Sequence, residues 1–451
     1  MYQNLEQRNL VLFAKNEDAF AKAVEEIVQE AGRMDSASRN QLLLDAILDM
    51  RSYLPHWQLN GVVQKKMQQD AIDSFVALLK EGASDELLHG LEKESAELAK
   101  SPLVALSGKT AAGTMGVYWG YDQCEELDYA RRRGASFTTC NPGKVNRFMK
   151  TNPNDWDEIA NVVLERGAKG KERIFSEISC EIVARMARAM RPIYLITNQK
   201  VGFSAIQVDP YNWDNAEAMA EEVLRWADFF SKKLELDIPN IMFKLPATPA
   251  SVKAAGIILS KRPLRLAATC NFSVTQHEMF YDVFDQKIPA NLLVIVDYIL
   301  KSHIEEDLKA GGVEKFAYYA QQGVSAVYKK CYENLVKRNS TIMINGAGIR
   351  DELGVRYNYT YNVAYPTTLT MTKEIAQVYE RDMKDFPDSM HETVQEKDIA
   401  VLRKSETFRD AYDENASFVN DIRRFGPYRF MMEGFEKLYN ECMIDIERRL
   451  A

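Results

Sequence analysis

Between about residue 110 and residue 372, short runs rich in β-branched and aromatic residues alternate with stretches whose apolar residues recur at helical spacing. The runs are Gly116–Trp119, Ala135–Thr139, Phe203–Val208, Ile241–Leu245, Leu264–Ala268, Leu292–Val296, Thr341–Asn345 and Tyr361–Ala364, eight in all. Ala216–Phe230, between the third run and the fourth, shows the helical pattern, with Met219, Val223, Leu224 and Phe230 on one face. Strands that alternate with helices build parallel β/α units, and eight of them close into an α/β fold, the (β/α)8 TIM barrel. No G-x-G-x-x-G follows any run, so an open doubly wound dinucleotide fold is not expected.

The flanks differ from the middle. Residues 17 to 99 carry helical periodicity and almost no strand signal, as in Phe20, Val24, Ile27 and Val28 and again in Leu42, Leu43, Leu44, Ile47 and Leu48. The stretch SPLVALSGKTAAGTMG reads as a connector, which gives a helical N-terminal extension over 1–110 and a barrel over 111–372. From 373 to 451 the pattern is helical again, and the last helix, through Phe435, Leu438, Tyr439, Met443 and Ile444, is expected to pack over one barrel mouth. The leucine-rich N-terminal faces either cover the barrel wall or join copies in a homo-oligomer.

Composition narrows the function classes. Lys plus Arg total 57 against 65 for Asp plus Glu, a net charge of −8, so no overall field favours nucleic acid. The longest strongly apolar stretch, Leu292–Val296, is far short of the roughly 20 residues of a membrane helix, so no membrane partner is expected. The first residues hold Glu6, Glu17 and Asp18 without a sustained apolar core, which argues against a signal peptide and makes the cytoplasm the default compartment. Six widely spaced cysteines form no C-x-x-C pair, and five histidines form no H-x-x-x-H pair; free thiols, no metal and no cofactor are expected.

Catalytic groups of such barrels sit at the C-terminal strand ends and in the loops that follow. Lys244, in Asn240-Ile241-Met242-Phe243-Lys244-Leu245-Pro246-Ala247-Thr248, stands out. A buried lysine is costly to charge, and the free amine attacks carbonyls. The other strand ends supply Asp122, then Thr139 and Asn141, then Gln207, then Thr269 and Asn271, then Tyr298. A carbinolamine needs proton donors and acceptors to lose water, and Thr269, Tyr298 and Gln207 are of the right types. After strand seven, Asn345-Gly346-Ala347-Gly348-Ile349-Arg350 joins backbone N–H groups at Gly346 to a guanidinium at Arg350, a pairing suited to phosphate.

With these residues in place, SAIQVDPYNWDNAEAMAEEV, PNIMFKLPATPASVKAA and LAATCNFSVTQ resemble consecutive pieces of a transaldolase, and TTCNP resembles the family's T-T-N-P motif. The likeness covers roughly residues 115 to 372. It implies a class I enzyme of carbohydrate metabolism, in the pentose phosphate pathway, that passes a dihydroxyacetone unit between sugar phosphates through a lysine Schiff base. Carried over motif by motif, it implies Lys244 as nucleophile, Asn141 as ligand of the substrate hydroxyls, Thr269 as water-holding hydroxyl and Arg350 as phosphate ligand. Asp122 is the carboxylate available at strand one for acid/base work.

Three positions depart from the family. Its strand-three glutamate is Gln207, its strand-five asparagine is Ala267, and its S-P-F-V-G-R pattern reads Val296-Asp297-Tyr298-Ile299-Leu300-Lys301, where Lys301 supplies charge without the arginine fork. Gln207 with Tyr298 resembles the fructose-6-phosphate aldolase branch, which releases the three-carbon unit. A barrel that binds sugar phosphates without turnover is a third reading. Lys244 is expected inside the barrel mouth, sharing a water with Gln207, Thr269 and Tyr298.

Overall fold

The computed structural model describes residues 5–52, 54, 61–236, 239–285, 291–350, 352–383 and 385–450. Its centre is a closed barrel of eight parallel strands in sequence order: β1 (Val117–Tyr121), β2 (Phe137–Thr139), β3 (Phe203–Gln207), β4 (Ile241–Pro246), β5 (Arg265–Asn271), β6 (Leu292–Val296), β7 (Met343–Ala347) and β8 (Thr367–Met371). β8 closes on β1 with Val117 opposite Thr367 and Tyr121 opposite Met371.

The last strand is not where the residue pattern puts it. Tyr361 and Val363 are about half exposed in a loop, whereas the β-branched run Thr367-Thr368-Leu369-Thr370-Met371, just after Pro366, is buried and completes the barrel. The Tyr and Val of the earlier run have strand propensity but no partner strand, and pairing decides. Two further differences bear on the site. β5 runs on through Thr269 to Asn271, and Tyr298 lies in the first turn of the helix Asp297–Ala310 instead of on β6. The stretch read as a connector holds the helix Pro102–Ala111, whose start is fixed by the Ser101 hydroxyl accepting from the Val104 N–H at 3.2 Å.

Alternation along each strand decides what faces inward. Phe137, Phe203, Ala205, Met242, Ala267, Leu292 and Val294 meet Tyr194 inside the barrel as an apolar floor. Two residues further along β4 and β5 on the same face come Lys244 and Thr269. The outward residues Phe243, Leu245, Leu266 and Ala268 pack under the surrounding helices.

The helices Glu17–Ala31, Ser36–Met50, Lys65–Lys80 and Asp85–Lys100 share a core with Tyr118, Met190, Ile193 and Val201, and so cover the end of the barrel where the strands begin. A buried charge cluster fastens them there. Arg8 pairs with Asp45 at 2.8 Å and Asp49 at 3.1 Å, while Arg131 and Arg132, which follow β1, reach Asp49 at 2.7 and 2.9 Å. At the opposite end the helix Gly426–Leu450 crosses the mouth and packs on the helix Pro142–Thr151. No helix among the described residues is long and apolar enough to cross a membrane.

Candidate active site

The mouth beneath the helix Gly426–Leu450 encloses a cavity of about 230 Å³. Its lining includes Lys244 from β4, Thr139 from β2, Thr269 from β5, Asp122 after β1, Asn141 and Lys144 at the start of the helix Pro142–Thr151, Tyr298 after β6 and Arg350 after β7. Asn345 and Thr370 close the β7–β8 side, and Met431, Phe435 and Leu438 form an apolar roof.

Lys244 rises from the apolar floor with 8% of its surface exposed. Its amine donates to the Thr139 hydroxyl at 3.1 Å. Burial pulls its pKa below the ordinary lysine value, and the attraction of Asp122 opposes that only in part. The Asp122 carboxylate pairs instead with the Lys144 ammonium at 3.1 Å. Among the described residues Asp122 is the one acidic side chain in the cavity lining. Asn141 caps its helix by accepting from the Lys144 N–H at 3.0 Å.

Arg350 stacks over the Tyr298 ring at 4.5 Å from its centroid, which fixes a planar cation at the rim. The neighbouring Asp297 turns away, accepting a hydrogen bond from the Tyr357 hydroxyl. Gly348 makes the stack possible. Its φ is +65°, and a Cβ there would lie 2.8 Å from Tyr298 Cδ1 and 2.9 Å from Val296 Cγ1. Gly348→Ala is expected to cost more stability in thermal denaturation than Gly113→Ala. Gly113 has the same left-handed strain at φ +69° with nothing within 4 Å, so both lose about 1–3 kcal/mol and only Gly348→Ala adds the clash.

Three residues singled out from the sequence, Asn271, Lys301 and Gly346, lie elsewhere, while Gln207 stands opposite Lys244 in the β3–β4 register but is not among the residues that line the mouth cavity. Gln207 lines a separate cavity of about 20 Å³ with Asp209, Glu222 and Tyr439, and its side-chain oxygen is buried without a hydrogen-bond partner. Burial pushes the Glu222 carboxyl there up to about 7. Asn271 is fully buried below the β5 end and accepts from the Ser273 N–H at 3.2 Å; the register shift between β5 and β6 after Ala268 takes it out of the inward series. Lys301, one turn along its helix, lines an outer groove with Gln321, Lys329 and Arg356. Gly346 faces the outside of the barrel, where a Cβ would meet Asn358 Oδ1 at 2.5 Å. Gly348 lines the cavity instead.

The cavity also holds residues the strand-end reading passed over. Lys144 follows Asn141 by three positions, where a helix cap turns its first-turn side chains toward the mouth. Thr370 was hidden by the misplaced last strand; it donates to Asn345 Oδ1 at 3.0 Å, and Thr368 donates to the same oxygen at 2.8 Å. Ala267 lines the cavity, so a methyl group stands where the resemblance implies an amide.

Among the described residues, no group of three or more His, Cys, Asp or Glu side chains is placed to hold a metal ion. All six cysteines are free and buried, and Cys124 and Cys140 bring their sulfurs to 3.3 Å. No curated protein matches the chain in sequence. A closed parallel barrel with a lysine amine buried in its mouth agrees with the family model that matches residues 125–424, described as transaldolase/fructose-6-phosphate aldolase, and the chain belongs to that family.

Proposed function

We propose that this chain is a transaldolase that moves a dihydroxyacetone unit from a ketose phosphate to an aldose phosphate through a Schiff base on Lys244. The observation that carries the reading is the Lys244 amine, nine-tenths buried, depressed in pKa and hydrogen-bonded to a hydroxyl instead of a carboxylate. A lowered pKa leaves more of such an amine free to act as a nucleophile at a given pH.

In this mechanism the amine attacks the ketose C2 carbonyl, a C–N bond forms, and the carbonyl oxygen leaves as water after taking up two protons. Thr139, Thr269 and Tyr298 supply hydroxyls for that relay. Asp122 takes the C4 hydroxyl proton as the C3–C4 bond of the protonated Schiff base breaks and the first aldose phosphate leaves. The resulting enamine attacks the acceptor aldehyde, whose oxygen takes the proton from Asp122, and water then frees Lys244. Asn141 meets the substrate hydroxyls. Arg350 takes the phosphate, the overall negative charge leaving affinity for it to local cations. No cofactor enters the scheme.

Borohydride trapping with fructose 6-phosphate, followed by peptide mass spectrometry, is expected to place the adduct on Lys244. The absence of an adduct on Lys244 with every ketose tested would remove the reading. Product that forms only when erythrose 4-phosphate is present supports transfer. Product without the acceptor supports the free aldolase, which the position of Tyr298 in the cavity favours as a second reading.

Arg350→Ala is expected to raise KM for a phosphorylated ketose about tenfold, the scale of one solvent-screened charge-assisted hydrogen bond, and to leave turnover of unphosphorylated donors nearly unchanged. Steady-state kinetics with paired donors reads the difference.

A further inference from the structure

We propose that Lys144 is a positioning residue that holds the Asp122 carboxylate off Lys244 and so keeps the nucleophilic amine uncharged; this rests on the reading of Lys244 as the Schiff-base lysine. Lys144 stands in the first turn of the helix Pro142–Thr151, behind the Asn141 cap. That end of a helix carries unpaired N–H groups and the positive end of the dipole, which favours acids and disfavours a cation. The lysine there is balanced by Asp122, at 3.1 Å, with 17% and 21% of the two side chains exposed.

A buried amine and a nearby carboxylate ordinarily collapse into an ion pair, which locks the amine as an ammonium. Here the carboxylate is engaged by Lys144, and the Lys244 amine turns to Thr139 at 3.1 Å. Lys144 acts in two ways, by occupying Asp122 and by adding its own positive charge to the cavity, which pushes Lys244 in the same direction as burial does.

Glu125 is paired with Arg147 at 3.0 Å, and Arg147 also reaches Glu374 at 3.1 Å. Arg350 lies at the far rim over Tyr298. The Cys140 thiol follows β2 and the Cys270 thiol lies on β5, and burial keeps Cys270 up at about 12. The roof contributes Met431, Phe435 and Leu438, which carry no charge.

The test is the titration of Lys244 in the full chain, read by competitive acetic anhydride labelling and peptide mass spectrometry across pH. In Lys144→Met the freed Asp122 should pair with Lys244 and raise its midpoint by about one pH unit, so that the same fraction of free amine is reached only about one pH unit higher. Lys144→Arg should restore the wild-type midpoint, and Asp122→Asn should lower it. Catalysis by Lys144→Met should recover as pH rises, which a merely structural role would not produce. An unchanged Lys244 midpoint in folded Lys144→Met overturns the inference. Should that variant not fold, an unchanged midpoint in Asp122→Asn does so. A Lys244 that titrates as expected but is never trapped by borohydride with any ketose or with dihydroxyacetone leaves the positioning intact and overturns the Schiff-base reading instead.

Discussion

Lys244→Met is expected to lower turnover on the order of 10⁴-fold or more, the scale of deleting a nucleophile, and to abolish borohydride trapping. The same variant should be at least as stable as the parent chain in thermal denaturation. Lys244 sits just above Met242 and Ala267 on the apolar floor, and its amine has one hydrogen bond, to Thr139, to offset its burial. A methionine of similar length removes that desolvation cost and meets apolar neighbours, a gain of about 1 kcal/mol. Lost activity with retained or increased stability marks a residue kept for chemistry. If Lys244→Met instead lowers stability by several kcal/mol, the lysine is a structural element of the barrel.

Asp49→Asn is expected to destabilise the chain by about 3–5 kcal/mol, because three guanidinium groups would lose a fully buried partner. Asp49 has no exposed surface and meets Arg8, Arg131 and Arg132 at 3.1, 2.7 and 2.9 Å. Burial alone pushes its carboxyl up, but the combined attraction of the three cations outweighs that and holds it below the ordinary value. A carboxyl depressed on folding contributes stability above its unfolded pKa of about 3.9, and that contribution is lost as pH falls through the lower folded value. Urea unfolding should therefore show a full gap between parent and variant at neutral pH, one that closes only in acid below about pH 4. A gap that is constant down to the acid limit would mean that packing, not charge, is what Asp49 supplies.

Much of this molecule is legible in one dimension, and the reasons are local. β-branched runs separated by amphipathic helices specify parallel units, and eight such units lead to a closed barrel. The period of two along β4 puts Met242 and Lys244 on one face, so a lysine at the mouth follows from the strand alone. Asn141 as a helix cap before Pro142 is likewise a short-range fact.

Other assignments failed for reasons equally physical. The propensity of Tyr361 and Val363 for strand is outweighed by pairing, which Thr367–Met371 makes with β1 and β7. Asn271 is a polar residue at a strand end, but a register shift takes it out of the mouth, while Gln207 stands opposite Lys244 in the sheet and also lines a separate cavity with Glu222. Lys301 follows Tyr298 by three residues on a helix that begins at Asp297, and it lines an outer groove.

The sequence by itself therefore determined the barrel, the buried lysine and the family, because each rests on periodicity or on a contiguous motif. Only the tertiary structure decided what surrounds that lysine. The Lys144–Asp122 pair joins a helix start to the end of β1, the Arg350–Tyr298 stack depends on the bare Gly348, and the roof comes from Met431, Phe435 and Leu438, far along the chain. Contacts between residues so distant in sequence are set by how the barrel closes and how its last helix crosses the mouth.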